Sequence, residues 1–295
     1  MAQEATNQVK AAAVTRKIAV FADVHGNVTA LKAVLADAKR HHVTDFWFLG
    51  DVLLPGPGSQ EILALLADVG VTTWPRGNWE DLLVNGHAKT LDIMDPQRLY
   101  FTRQAMYQDQ FLANADYARL AEMPLTVTKQ AGGLTFRLSH NLPFKNYGQE
   151  LVPTQPQENF DRLLDADVDV ALYGHTHRQL VRYGSQGQLI VNPGTVGMAF
   201  TNPGKVQHDL RAMYAILTVA TARITNVNLR KVEYDKDAEL DFARARQLPY
   251  LDLYADQLLA GVGYTHNRPV LAAYAGSHGY VDEVQQYVAT KNEGK

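Results

Sequence analysis

The run Lys17-Ile18-Ala19-Val20-Phe21-Ala22 has the length and branching of a buried strand, and it passes directly into Asp23-Val24-His25-Gly26-Asn27. A helix is expected over Val28 to Arg40, where Leu31, Val34 and Leu35 recur at helical spacing. A carboxylate and an imidazole therefore stand where a strand gives way to a helix. Open α/β sheets bind ligands at that edge, beyond the carboxyl ends of their strands. Asp-x-His alone is a common pattern. Its weight comes from the recurrence of the same arrangement, strand then polar ligand, along the chain.

A second strand is expected at Asp45-Phe46-Trp47-Phe48-Leu49. It ends in Gly50-Asp51 and a Gly/Pro loop, with a helix from Gln60 to Val69. A third, near Val71-Thr72-Thr73-Trp74, leads to Arg76-Gly77-Asn78-Trp79-Glu80-Asp81. This β-α-β-α-β order predicts parallel strands with crossover helices. Leu91 to Met123 reads as a helical insertion. Strands at Leu125 to Lys129 and Leu134 to Ser139 flank a Gly132-Gly133 turn, and the second ends in His140-Asn141. A helix from Gln157 to Asp165 precedes a strand from Val168 to Tyr173, which ends in Gly174-His175-Thr176-His177-Arg178. Strands over Gln179 to Tyr183 and Leu189 to Val191 follow. An antiparallel ribbon of Met213 to Val219 and Arg223 to Val232 comes next, and the chain is helical from Glu233 onward.

The domain organisation expected from this pattern is a flexible extension over 1–16, an α/β domain over 17–232, and a helical extension over 233–295 packed on the same domain, either as a lid or as part of its core. With 295 residues, 46% hydrophobic and 20% charged, the composition is that of an ordinary globular protein. A formal net charge of -3 argues against a general nucleic-acid binder. No apolar run is long enough to cross a bilayer, and the Ala11–Val14 stretch is too short for a signal-peptide core. A cytoplasmic location is the expectation. The chain has no cysteine, so disulfides and thiolate metal sites are excluded. Any metal must take oxygen and nitrogen ligands, which favours manganese, iron, magnesium or zinc.

Asp23, His25, Asp51, Asn78, His140, His175 and His177 are the metal-competent residues at the expected strand ends. Seven ligands are too many for one ion and suit two, with Asp51, in the middle of the series, as the bridging carboxylate. Two ions about 3.5–4 Å apart hold a bridging hydroxide and clamp the oxygens of an in-line displacement at phosphorus. The other histidines, 41, 42, 87, 208, 266 and 278, fall in expected helices or loops and read as solvated or packed.

In this order the motifs Asp23-x-His25, Gly50-Asp51, Gly77-Asn78, His140 and Gly174-His175-x-His177 resemble those of the calcineurin-like metallophosphoesterases, and Asn192-Pro193-Gly194 extends the likeness. The resemblance implies an α/β (α+β) four-layer sandwich, two mixed β-sheets flanked by helices. It also implies one metal on Asp23, His25, Asp51 and His177 and the other on Asp51, Asn78, His140 and His175. The chain is most similar in type to the small bacterial branch, and within it to asymmetric diadenosine tetraphosphate hydrolases. The segments that carry this closer likeness are Arg76 to Asp81, His140 to Asn146 and Leu248-Pro249-Tyr250. The implied reaction is hydrolysis of a dinucleoside polyphosphate to ATP and AMP on two metal ions, manganese and/or iron, with zinc and magnesium as alternatives.

One departure bears on the substrate. Most of the family has His after the Asn, where this chain has Trp79. An indole is a hydrogen-bond donor but not an acid at physiological pH. That favours a leaving group needing no proton, such as a nucleoside phosphate. The Trp79 ring is expected either to stack on a base or to fill the cleft wall. Asp51, Asn78 and Trp79 are the catalytic candidates. Arg76, Lys145 and Arg178 are the candidates for substrate phosphates, with Arg182 behind them. The tail aromatics Tyr250, Tyr254 and Tyr264, with His266, either cover the cleft or belong to the core. The expected partner is a nucleotide or other phosphate-ester small molecule. Competing readings are a broad or cyclic-nucleotide phosphodiesterase and a non-catalytic scaffold of the same fold.

Overall fold

A computed structural model describes residues 15–201 and 209–290. The expected N-terminal extension therefore lies almost wholly outside the described residues. Strand β1 (Arg16–Phe21) sends alternate side chains to opposite faces, Ile18 and Val20 into one core and Ala19 and Phe21 into another. Helix α1 (Val28–Arg40) begins at Asn27, whose side chain accepts from the Ala30 N–H, and it buries Leu31, Val34 and Leu35. β2 (Asp45–Phe48), α2 (Gln60–Asp68) and α3 (Asn78–His87) follow, then α4 (Pro96–Gln108) and α5 (Asn114–Glu122) in the helical insertion. β3 (Thr126–Ala131) and β4 (Leu134–Ser139) form a hairpin, followed by α6 (Gln157–Asp161), β5 (Val170–Tyr173), β6 (Gln179–Tyr183) and β7 (Leu189–Pro193). β8 (Ala212–Ala220) and β9 (Arg223–Val232) make the ribbon. The tail is α7 (Lys236–Ala245), α8 (Leu251–Ala260), α9 (Arg268–Ser277) and α10 (Tyr280–Ala289).

Two mixed sheets result, in the orders β2-β1-β8-β9 and β3-β4-β5-β7-β6. Their facing sides share one apolar core: Val20, Trp47 and Leu217 from the first meet Phe136, Leu172 and Val191 from the second. The outer face of the first sheet is covered by α1 to α4 through Ala19, Phe21 and Phe48. The outer face of the second is covered around Phe160 of α6. Helices thus flank both sheets, which is the expected four-layer architecture.

One expected strand does not form. Val71 to Trp74 makes no ladder, and β2 is left as the edge of its sheet. Pro75 ends the segment, the Thr72 carbonyl accepts from the Arg119 guanidinium, and Trp74 turns into the core against Phe48. Only the segment's two ends, Val71 and Trp74, are buried; Thr72 and Thr73 are exposed. The helix expected over Gln157 to Asp165 stops at Asp161.

Candidate metal centre

The carboxyl ends of β1, β2, β4 and β5 converge on one edge. Asp23 and His25 follow β1, Asp51 follows β2, His140 follows β4, and His175 and His177 follow β5. Asn78 arrives differently, as the first residue of α3. Five of these seven residues have positive φ: +57° at Asp23, +50° at His25, +57° at Asp51, +65° at His175 and +55° at His177. An L-residue in that region costs of order 1 kcal/mol, and such strain collects where the surrounding structure over-determines the chain. Here the turns are bonded to one another. Asp23 N–H donates to Gly50 O at 3.0 Å, His25 N–H to Asp51 O at 3.0 Å, and Gly174 N–H to His140 O at 2.9 Å.

Two groups of ligand-type atoms result. Asp23, His25 and His177 form one, and Asp51, His140 and His175 the other, with the ligand atoms of each group within 4.8 Å of one another. Asp51 stands between them: its Oδ2 is 3.2 Å from His140 Nε2 and 3.7 Å from His25 Nε2. Asp23 Oδ1, Asp51 Oδ2, Asn78 Oδ1 and His140 Nε2 are buried without a hydrogen-bond partner among the described residues. Buried polar atoms are ordinarily paired. Orphaned acceptors around a shared carboxylate are a donor set that fits two divalent ions.

The imidazoles are oriented for that role by backbone carbonyls. His25 Nδ1 donates to Leu54 O at 2.7 Å, His140 Nδ1 to Leu49 O at 2.8 Å, and His177 Nδ1 to Met198 O at 2.5 Å. His175 is reversed, with Nε2 donating to Gly148 O at 2.9 Å. A carbonyl only accepts, so each ring carries a proton on the nitrogen facing it, and in the neutral ring the other nitrogen keeps a free lone pair. Burial lowers His25 and His175 to about 4, which holds both neutral, the form that binds a metal. His140 goes the other way. Burial opposes its charge, but Asp51, with Asp23 and Glu80, outweighs burial and raises it to about 10. The same pairing, with His25 and the Trp79 N–H, overcomes burial and holds the Asp51 carboxyl well below the usual range. The pocket therefore stabilises positive charge beside Asp51.

Glu80 builds this corner, and the sequence reading assigned it no role. Its carboxylate accepts from the N–H groups of Asp51 at 3.0 Å, Val52 at 2.8 Å and Gly77 at 2.9 Å. Burial, reinforced by the Asp51 charge, raises it to about 7. A Cβ on Gly77 would lie 2.1 Å from Asp51 Oδ1, so only glycine lets the chain pass there. Thr195 supports the opposite side through its hydroxyl to Asp23 O at 2.9 Å, and Asn192 donates to Gly174 O at 2.7 Å.

The centre opens into a cavity of about 990 Å³ that Asp51, Asn78, Trp79, His175, His177 and Arg178 help to line. Trp79 is only 9% exposed and forms part of its wall. Arg76 and Lys145 are not in that wall. Arg76 pairs with Asp81 at 2.9 Å and bonds Ala121 O, while Lys145 pairs with Glu150 at 2.5 Å. Arg182 bonds Gln157 instead. Tyr250 and Tyr254 are buried in the core, and Tyr264 bonds Asp256. His266 does line the cavity, with Arg98 and Arg268. For His266 this is the cleft-covering alternative expected of the tail; no local signal marks Arg98 and Arg268, each at the start of a helix far from the metal motifs.

The pattern of the calcineurin-like phosphoesterase superfamily domain matches residues 17–222, and the chain belongs to that family. It is similar to the metallophosphoesterase from Sphaerobacter thermophilus at 25% identity and a TM-score of 0.62, over 84% of this chain and 100% of that one. The hypothetical protein PH1004 from Pyrococcus horikoshii OT3 shares the fold at 20% identity and a TM-score of 0.65, over 83% of this chain and 98% of that one. The uncharacterized protein MJ0912 of Methanocaldococcus jannaschii is 27% identical over 161 residues, 54% of this chain. The chain spans 62% of the length of that relative. The fold is that of a metallophosphoesterase carrying two candidate metal-ligand groups. Among the described residues no helix is long and apolar enough to cross a membrane.

Proposed function

We propose that the chain is a dinuclear metal-dependent phosphohydrolase that cleaves a phosphoanhydride of dinucleoside polyphosphates, diadenosine tetraphosphate to ATP and AMP. The observation that carries this reading is the cavity. It has the volume of a site for a nucleotide-sized ligand, and among the described lining residues its charged side chains other than Asp51 and histidines are arginines. That lining suits a substrate with several phosphates.

In this reading Asp23, His25 and His177 hold one ion, Asn78, His140 and His175 hold the other, and Asp51 is shared. When bound, manganese and/or iron supplies an activated water and neutralises charge at the attacked phosphorus. The chain's own part is to hold the ligands ready. The carbonyl bonds keep the imidazole lone pairs inward. The Trp79 N–H holds Asp51 Oδ1 at 2.9 Å, which leaves Oδ2 for the centre. Arg178, next to His177, lines the cavity, which supports giving it the role of orienting a phosphate. Trp79 offers no proton to a leaving group. A nucleoside phosphate leaves as an anion without one, so this wall favours an anhydride over an alkyl ester. The stretch from Gly261 to Arg268, between α8 and α9, lines the cavity, which supports reading the tail as its cover.

The test is incubation of the manganese-loaded protein with diadenosine tetraphosphate and chromatography of the products. ATP and AMP in equal amounts are expected. Two ADP would overturn the cleavage position. Absence of turnover alongside hydrolysis of a chromogenic diester would replace this reading with a phosphodiesterase.

A further inference from the structure

We infer that Arg98 and Arg268 form a second anion subsite in the cavity, which takes phosphates of the substrate beyond the one attacked at the metal centre. The identity of the substrate rests on the hydrolase reading above; the subsite itself rests on geometry. Arg98 lies in the first turn of α4 and lines the cavity; its charge acts on Asp95 at the helix N-cap, and its side chain makes no hydrogen bond or ion pair with another described residue. Phe101, one turn further along the same helix, packs edge-on against Trp79 at 4.9 Å, and Trp79 packs against His25 at 4.8 Å. Arg98 is thus set apart from the metal centre by an aromatic wall, within one continuous cavity. A single phosphate at the metals leaves Arg98 on the far side of this wall, and a chain of phosphates extends toward it along the cavity.

The tail brings in the second cation. Arg268 opens α9 and binds the Asp95 carboxylate through Nε at 3.0 Å and a second nitrogen at 2.9 Å. Asp95 is also the N-cap of α4, and Gln97 in the first turn of that helix donates to Thr265 O at 2.6 Å. These bonds seat the segment before α9 on the start of α4, beside Arg98. Asp95 itself is not among the lining residues, so the charged groups turned to the cavity here are two guanidinium ions. A guanidinium presents a planar fork that matches phosphate oxygens. Arg98 offers that fork to the cavity, and Arg268, whose Nε and one terminal nitrogen are taken by Asp95, adds its remaining N–H groups beside it. The tail then acts in substrate selection, by completing a subsite for polyphosphate length.

The test is titration calorimetry on the metal-loaded full chain, with inorganic triphosphate and orthophosphate as separate probes. The wild-type chain is expected to bind triphosphate more tightly. Arg98→Ala is expected to weaken triphosphate about tenfold and to change orthophosphate less than about twofold. Arg98→Lys is expected to restore part of the loss. Triphosphate binding unchanged in Arg98→Ala, or equal weakening of both anions, would overturn the subsite. Arg98 is an exposed helix residue, so its replacement leaves the fold intact, and a melting curve checks this. Failure of the wild-type chain to cleave diadenosine tetraphosphate would count against the hydrolase reading alone, because the binding comparison needs no turnover.

Discussion

Trp79 stands edge-on to His25, with ring centroids 4.8 Å apart and planes at 75°, while its backbone N–H donates to Asp51 at 2.9 Å. One residue therefore touches both ligand groups, one through its ring and the other through its main chain. Its far side meets Phe101 at 82°. Replacing the ring with imidazole, Trp79→His, empties part of this wall and is expected to cost about 2–4 kcal/mol of stability, read in urea unfolding. It also puts an acid beside the phosphate. Activity on phenyl phosphodiesters relative to nitrophenyl ones is expected to rise about tenfold or more. An unchanged ratio would show that this position does not face the leaving group.

Asp51 Oδ2 lies within 3.7 Å of an imidazole nitrogen from each group. Asp51→Asn removes the negative charge shared by the two sites. Metal content, measured by mass spectrometry after dialysis, is expected to fall from about two ions per chain to less than one, and turnover by at least ~100-fold. Retention of both ions would separate Asp51 from the bridging role.

Glu80 holds three buried N–H groups, two of them on Asp51 and Val52. Glu80→Ala leaves all three without acceptors and is expected to lower stability by about 3 kcal/mol. Because the Asp51 backbone then moves, metal affinity is expected to fall with it. Glu80→Gln keeps one acceptor oxygen and should lie between the two. A Glu80→Ala chain that binds metal as tightly as wild type would show that the Asp51 turn holds without this carboxylate.

Asp37 ties α1 to the β8–β9 ribbon. Burial alone would raise its carboxyl, but Arg230, the Tyr214 hydroxyl at 2.6 Å and Arg40 outweigh burial and lower it to about 2. A carboxyl lowered in the folded state stabilises the fold above its unfolded value, near 4. That contribution is lost as pH falls toward the folded value. Asp37→Asn is therefore expected to cost about 2 kcal/mol at pH 7, with the difference from wild type shrinking between pH 4 and 2. Urea midpoints of the two proteins across that range are the check. A constant difference would place the effect in packing rather than charge.

The four-layer sandwich came from the family resemblance, whereas the metal-competent side chains at strand ends were legible in the sequence for a local reason. A buried strand is an apolar run, its end is where polarity returns, and in parallel βα units those ends share one edge. Asp23, His25, Asp51, His140, His175 and His177 each needed only that rule. Val71 to Trp74 misled it, because β-branched residues between two buried apolar ends read the same as a strand whether or not they pair. Nearness in sequence also misled at Arg76 and Lys145, which lie beside motif residues but turn to Asp81 and Glu150. Arg98 and Arg268 carry no local mark, and His266 is marked only as one of the tail's ring side chains. They meet at the cavity because the Asp95–Arg268 and Gln97–Thr265 bonds dock the tail on α4, across some 170 residues of chain. Strand ends are set by short-range alternation, which the sequence displays. The far wall of the cavity is set by long-range packing between helices, and only the tertiary structure brings those side chains together.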